Sequence, residues 1–165
     1  MTLVVSAITT AAQALLDATV EALALTAAGF DGDAYLSPGL PAFDGQCDFV
    51  AVWMSAENLA AVPTIPSTQL YRTGPRIGLV TLNATVGRCL ALEGRWGVPT
   101  GDDRLANATM HMEDAQAVWN HVGEEIADGL FDGTCKRVTI LGLNALTPQG
   151  GFAGWTLVVQ VQIDG

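Results

Sequence analysis

The stretch from Trp155 to Ile163, WTLVVQVQI, decides the fold because its apolar residues fall on nearly every second position. Such alternation is typical of a β-strand with one buried face, since successive side chains point to opposite faces of a sheet. The other face carries Thr156, Gln160 and Gln162. The stretch therefore predicts a strand whose polar face meets water, a partner or a lumen.

A glycine-rich turn precedes this strand, in the run NALTPQGGFAG over residues 144–154. Gly150, Gly151 and Gly154 are expected to shape a hairpin, by adopting positive φ or by letting the backbone approach another chain closely. Trp155 then serves as a core anchor or as an interface residue. The run leads into a strand, whereas a phosphate cradle needs a helix N-terminus behind it.

Three further runs predict strands. Cys47 to Met54, CDFVAVWM, is almost continuously apolar, which indicates a strand buried on both faces. CKRVTILGL, over residues 135–143, predicts the first strand of the hairpin. Arg76 to Leu92 predicts a long strand whose apolar face holds Val80, Leu82, Ala84 and Val86. Its polar face is expected to be exposed to solvent or to a neighbouring subunit, and holds Thr81, Asn83 and Thr85.

Two helices complete the pattern. The first is predicted between about Thr10 and Ala28, with a capping box at Thr10 and Gln13 and a stop at Gly29. Its apolar stripe consists of Ile8, Ala12, Leu15, Leu16, Leu23 and Ala27. The second is predicted from about Asp103 to Asp128. Its core seam, with spacings of three and four, consists of Leu105, Ala108, Met112, Ala115, Trp119, Val122 and Ile126. Such a seam packs across a sheet or against a coiled-coil partner.

This order predicts an α+β fold, in which a mostly antiparallel sheet carries two main helices on one face. The length fits a single domain over residues 1–165. The turn-rich segment at about residues 30–46, with glycine and proline throughout, is expected to be a loop, an irregular edge or a projecting arm.

The composition restricts the partners. Seven basic residues against seventeen acidic ones give a net charge of -10, which repels phosphate backbones and argues against tight binding of nucleic acid. Half of the residues are hydrophobic, so the chain has apolar surface to bury against copies of itself. The apolar start carries Asp17 and Glu21 and lacks a basic region, so neither a secretion signal nor a membrane span is expected.

No catalytic residue, metal ligand set or cofactor site is predicted. His111 and Glu113 have the H-x-E spacing of zinc deaminases, but the P-C-x-x-C pair of those enzymes is missing. Cys47, Cys89 and Cys135 are dispersed and odd in number, which predicts buried thiols in a reducing compartment and not a disulfide framework.

Several separated motifs occur in an order that resembles a known family. They are CDFVAVW at 47–53, GRCLAL at 87–92, MEDAQAVWN at 112–120, Cys135, and TPQGGFAGWTLVVQV at 147–161. These motifs resemble the neck proteins of long-tailed bacteriophages (siphoviruses) that infect actinobacteria, which act as tail terminators or head-to-tail connectors. The most specific part is the Pro-Gln-Gly-Gly-x-Ala-Gly-Trp run that ends at Trp155.

The resemblance implies a structural virion protein that is not an enzyme. Its α+β subunit would form a hexameric ring that caps the tail tube, stops its polymerisation and joins tail to head. The implied partners are other copies of the chain, the major tail tube protein below and a stopper or connector protein above. DNA would pass through the lumen without specific binding, and no membrane is involved. The implied location is the virion neck, and the host cytoplasm during assembly.

Within that resemblance, five polar strand residues are candidates for subunit contact or for lining the lumen: Thr81, Asn83, Thr85, Gln160 and Gln162. Another neck ring, the head-completion or stopper component, is the alternative within the same class. A small acidic binding module or an unrecognised hydrolase is the alternative outside it.

Overall fold

The strand that closes the chain lies inside the sheet and not at its edge. The computed structural model describes residues 2–39, 41, 48–55, 77–90, 100–149 and 152–164. These residues form α1 (Thr2–Ala24), β1 (Asp33–Ser37), β2 (Phe49–Met54), β3 (Ile77–Cys89), α2 (Gly101–Ala127), β4 (Arg137–Gln149) and β5 (Phe152–Asp164). Within them the sheet has five strands in the order β1-β2-β3-β5-β4. Only the β1–β2 pair among these strands is parallel, so the predicted α+β class with a mostly antiparallel sheet is confirmed.

The alternation in β5 produces the core. Trp155, Leu157, Val159, Val161 and Ile163 are all buried and belong to one hydrophobic cluster. On β3, which pairs with β5 along its whole length, the cluster contains the predicted apolar face: Val80, Leu82, Ala84 and Val86. Both helices pack on this side of the sheet, because buried residues of α1 and α2 join the same cluster. The apolar period of two therefore selected the face that the helices cover.

Strand β2 is buried on both faces, as its continuous apolar run predicted. Phe49, Val50, Ala51 and Val52 are almost completely inaccessible to solvent. The strand lies between β1 and β3, so both of its edges are paired as well.

The first helix begins earlier and ends earlier than predicted. Thr10 lies in the middle of α1, and Gln13 donates a hydrogen bond to Asp17 one turn later, so the predicted capping box was wrong. No glycine or proline precedes Gly29 in the sequence, so nothing stops the helix from extending back to Thr2. At its end the amide of Thr26 bonds to the carbonyl of Leu23, three residues back, and Gly29 has a φ of 63°. Gly29 has the left-handed conformation expected of a residue that follows a helix, but a turn separates it from the end of α1 at Ala24.

Part of the turn-rich segment is an edge strand. Within the segment at 30–46, residues Asp33–Ser37 form β1 and pair with β2, Tyr35 lying opposite Ala51. Of the loop, the irregular edge and the arm that the sequence left open, these five residues form an edge. Residues 40 and 42–46 of the segment lie outside the described residues.

Helix α2 matches its predicted bounds to within two residues. Thr100 caps it: its hydroxyl accepts a hydrogen bond from the amide of Asp103, whose carboxylate accepts one from the amide of Thr100. This reciprocal pair satisfies two donors that the helix itself leaves unpaired. Neither helix in the described part of the chain combines the length and the apolarity needed to span a bilayer.

Gly123 offers a simple test of the position of α2. An added Cβ there meets no atom within 4 Å, and alanine is favoured over glycine in a helix by about 1 kcal/mol. We expect Gly123→Ala to raise the free energy of unfolding by about 0.5–1 kcal/mol, measured by urea denaturation. Gly101→Ala, at the first residue of the helix, is the control. A loss of stability in Gly123→Ala would contradict the described helix packing.

Candidate functional site

The predicted core seam of α2 is only partly in the core. Val122 is buried, and Ala115 and Ile126 pack against the cluster. By contrast, Leu105, Met112 and Trp119 are 68%, 72% and 43% exposed. The prediction that these three residues form part of the core was wrong.

The buried side of α2 is centred on a charged residue. Asp114, Val118 and Val122 are its buried residues, and Asp114 is completely inaccessible to solvent. A hydropathy pattern assigns an aspartate to the exposed side of a helix, which shifted the predicted seam around the helix axis. The hydropathy pattern of the helix does not register a cation on another element that is buried together with Asp114 and pairs with it.

That cation is Arg88 on β3, itself only 2% exposed. Its Nε donates to Oδ2 of Asp114 at 2.8 Å, and its Nη2 donates to Oδ1 of Asp114 at 3.2 Å. Nη2 also donates to the carbonyl of Gly29 at 2.7 Å, and Nη1 lies 3.4 Å from Oδ2 of Asp48. The guanidinium carbon lies 5.6 Å from the centre of the Phe30 ring. We call Arg88, Asp114, Asp48 and Gly29 the Arg88 cluster.

Two carboxylates stabilise the charge of the buried arginine. Burial opposes the charge on Arg88, but the hydrogen bond and charge of Asp114, with those of Asp48, outweigh it and raise the pKa of Arg88. The carboxylate of Asp48 also accepts a hydrogen bond from the amide of Cys89. Since each guanidinium nitrogen already contacts a partner inside the protein, the cluster fastens α2 and the residues around Gly29 and Asp48 to β3. It has the geometry of a structural clamp.

His111 lies beside this clamp. Within the described part of the chain neither ring nitrogen has a hydrogen-bond partner, although both are inaccessible to solvent. Burial lowers the pKa of His111, the charge of Arg88 lowers it further, and Asp114 and Asp48 act in the opposite direction. Glu113, the other residue of the H-x-E spacing, is exposed. No group of three or more metal-binding side chains occurs among the residues that the structure describes.

The lowered pKa of His111 predicts a pH dependence of stability. As the pH falls through about 6.5, the unfolded chain binds a proton at His111 that the folded chain does not yet bind. The free energy of unfolding is therefore expected to fall between about pH 6.5 and the lower pKa of the folded state, and the contribution is constant below it. Thermal unfolding between pH 7.5 and 5 should show a larger loss for the natural protein than for His111→Leu.

His121→Gln is the matched control, because His121 lies on the same helix with its Nε2 3.7 Å from the Glu21 carboxylate. Equal slopes for the natural protein and His111→Leu would contradict the prediction.

The polar face of β3 is not open to solvent. Thr81, Asn83 and Thr85 are 4%, 6% and 0% exposed, which contradicts the expectation that they face solvent, a lumen or a neighbouring subunit. The reason is visible at Thr85, whose hydroxyl accepts a hydrogen bond from the Trp53 indole and exchanges one with Thr156. Polar side chains that satisfy one another across a sheet can be buried.

The polar face of β5 is partly open at one end. Gln160 and Gln162 are half-buried, and they line a shallow depression of about 330 Å³ together with Leu79, Arg137 and Thr139. Leu79 is 51% exposed, and Leu141, at a β-bulge in the edge strand β4, is 55% exposed. We call Leu79, Arg137, Thr139, Leu141, Gln160 and Gln162 the sheet corner.

The hairpin residues have structural roles where they are described. Trp155 is buried in the core cluster, so its interpretation as a core anchor is confirmed. A Cβ on Gly154 would lie 2.0 Å from the carbonyl oxygen of Val86, so the close backbone approach at this glycine is to the neighbouring strand β3 of the same chain and not to another chain. Gly150 and Gly151 lie outside the described residues; Gln149 pairs with Phe152 on either side of them.

The cysteines differ from one another. Cys89, at the end of β3, is disulfide-bonded, and Cys135 is a free thiol whose pKa is raised by burial. The expectation of three thiols was therefore wrong at Cys89, because a disulfide requires proximity in space and not a CxxC spacing. Cys47 lies outside the described residues.

No protein-family model matches this chain, and no curated protein shows significant sequence similarity to it.

Proposed function

We propose that this protein is a structural subunit that assembles copy to copy into a ring, and that the ring is the tail terminator at the neck of a long-tailed bacteriophage. The observation that carries the proposal is exposed apolar surface at two separate places on the subunit. Leu105, Met112 and Trp119 are exposed on the helix side. Leu79 and Leu141 are exposed at the sheet corner.

The two surfaces lie on different faces of the sheet. Val80 faces the core cluster beneath the helices, so its neighbour Leu79 points to the other face. Each copy in a ring closed by rotation meets its two neighbours through two different surfaces. Exposed apolar patches on a subunit mark interaction sites, and two separate patches suit this head-to-tail arrangement.

The assignment to a phage neck rests on the motif resemblance, above all on the run that ends at Trp155. Gly154 and Trp155 in that run hold β5 against β3 and the core. In the proposed role the hexameric ring caps the tail tube and contacts the major tail tube protein below and a stopper or connector above. The net charge of -10 suits a lumen through which DNA slides without binding. The protein acts through shape and self-association, in the host cytoplasm during assembly and then in the virion neck.

Native mass spectrometry of the purified protein at low and high concentration tests this function, followed by negative-stain imaging. The expected result is a hexamer with a central hole as wide as a DNA duplex or wider. The ring should then bind the ends of purified tail tubes. A strict monomer that also ignores tail tubes would contradict the proposed function, whereas a ring that binds filled heads but not tubes would assign it to the stopper position.

A further inference from the structure

We infer that, in the proposed ring, the exposed stripe of α2 on one copy docks on the sheet corner of the next copy. We call Leu105, Met112 and Trp119 the α2 stripe. The inference rests on the proposed function, because it assumes a head-to-tail ring, and it adds which two surfaces meet.

The stripe has the shape of a contact surface. Its three residues are seven positions apart, so they lie on one line along about 21 Å of helix. Small or uncharged residues accompany them, with Ala108 on one side and Thr109 and Gln116 on the other. Two copies of a protein with a net charge of -10 repel each other, so they pack together where negative charge is absent or is paired with positive charge.

The sheet corner provides a shallow surface that is partly apolar and partly polar. Its depression of about 330 Å³ is lined by Leu79, with Thr139, Gln160 and Gln162 supplying hydrogen-bonding groups and Arg137 a positive charge. Leu141 adds apolar surface on the adjacent edge strand. An apolar side chain from a helix can enter such a recess while polar groups around it bond to the helix surface.

The charges beside the two surfaces are complementary. Asp102 and Glu113 are exposed and stand eleven residues apart, about three helical turns, so both lie along the same edge of the stripe. Among the described residues the exposed cations are Arg104, Lys136 and Arg137, and two of them stand together at the start of β4. Docking the stripe on the corner brings the carboxylates towards these cations, which favours this pairing over one between like charges.

Pairing of two stripes across a two-fold axis is the main alternative. An antiparallel pair centred on Met112 would place the Glu113 side chains of the two copies close together, and like charges at such a contact repel. A two-fold contact also uses the same surface on both copies, so it closes at a dimer and cannot continue around a ring.

Cysteine cross-linking distinguishes these arrangements. Met112→Cys and Thr139→Cys are each made in a Cys135→Ser background, which removes the thiol of Cys135. The two variants are mixed and treated with a short bis-maleimide. We expect a cross-linked dimer in the mixture and not in either variant alone, and a ladder up to a hexamer from the protein that carries both changes.

Point variants provide a second measurement. Met112→Asp is expected to weaken assembly at least about a hundredfold, because it places a charge in the buried centre of the contact. Leu25→Asp is the control, since Leu25 is 76% exposed and lies outside both surfaces. Arg137→Asp should weaken assembly about tenfold, and adding Asp102→Arg should restore it.

The outcomes separate the surface assignment from the function. A ring that forms without the mixed cross-link, or a Met112→Cys variant that cross-links to itself, overturns the surface assignment and leaves the ring intact. If the natural protein forms no oligomer at any concentration or on tail tubes, the proposed function fails, and the surface assignment fails with it.

Discussion

Asp114→Ala is expected to lower the free energy of unfolding by about 3–5 kcal/mol, because it leaves a buried arginine without its principal partner. Arg88 makes two hydrogen bonds to this carboxylate, and its only other carboxylate contact among the described residues is Asp48 at 3.4 Å. Urea denaturation followed by tryptophan fluorescence measures the loss.

Glu113→Ala is the matched control, since Glu113 is the next residue on the same helix and is exposed. Its effect should stay within about 0.5 kcal/mol. The double variant Arg88→Met with Asp114→Leu should recover most of the stability, because a buried ion pair can be replaced by apolar residues at little cost. A loss of less than about 1 kcal/mol in Asp114→Ala would contradict the role of the cluster as a clamp.

Gly154→Ala is the second substitution with a large expected effect. The added Cβ would lie 2.0 Å from the carbonyl oxygen of Val86, so β3 and β5 would have to separate in the middle of the sheet. Overpacking costs about 1–3 kcal/mol and occasionally more, and we expect this change at or above the upper end, because a backbone atom cannot move aside like a side chain. Thermal unfolding measures it.

Gly142→Ala is the control for this substitution, since an added Cβ at Gly142 on β4 meets nothing within 4 Å. Val86→Ala should not rescue Gly154→Ala, because the obstacle is the Val86 backbone. A Gly154→Ala protein as stable as Gly142→Ala would contradict the close approach of β3 and β5.

The period-two pattern of β5 and the continuous run of β2 were sufficient to predict the sheet and its buried face. Each pattern reports burial directly along a few neighbouring residues. Both elements are confirmed in position and in burial. Edge strand β1 was not distinguished from a loop or an arm, because Asp33–Ser37 is short and largely exposed and carries almost no hydrophobic pattern.

The site residues were harder to predict because they depend on partners distant in the sequence. Asp114 is buried through Arg88, 26 residues away, and Thr85 is buried through Thr156, 71 residues away. A pattern that treats each residue by its own polarity therefore placed Asp114 on the surface, Leu105 in the core and Thr85 at a contact. Leu105, Met112 and Trp119 are exposed because α2 turns the side that carries Asp114 toward the core.

The Arg88 cluster also bears on how the protein folds and unfolds. One side chain connects segments that are 26, 40 and 59 residues away along the chain. Contacts between such distant segments carry a large loop-closure entropy, so the clamp is expected to form after the transition state for folding. An interaction that forms late slows unfolding and leaves the folding rate nearly unchanged. Arg88 is therefore expected to lengthen the lifetime of the native fold, which unfolding rates of the natural protein and of Asp114→Ala would show.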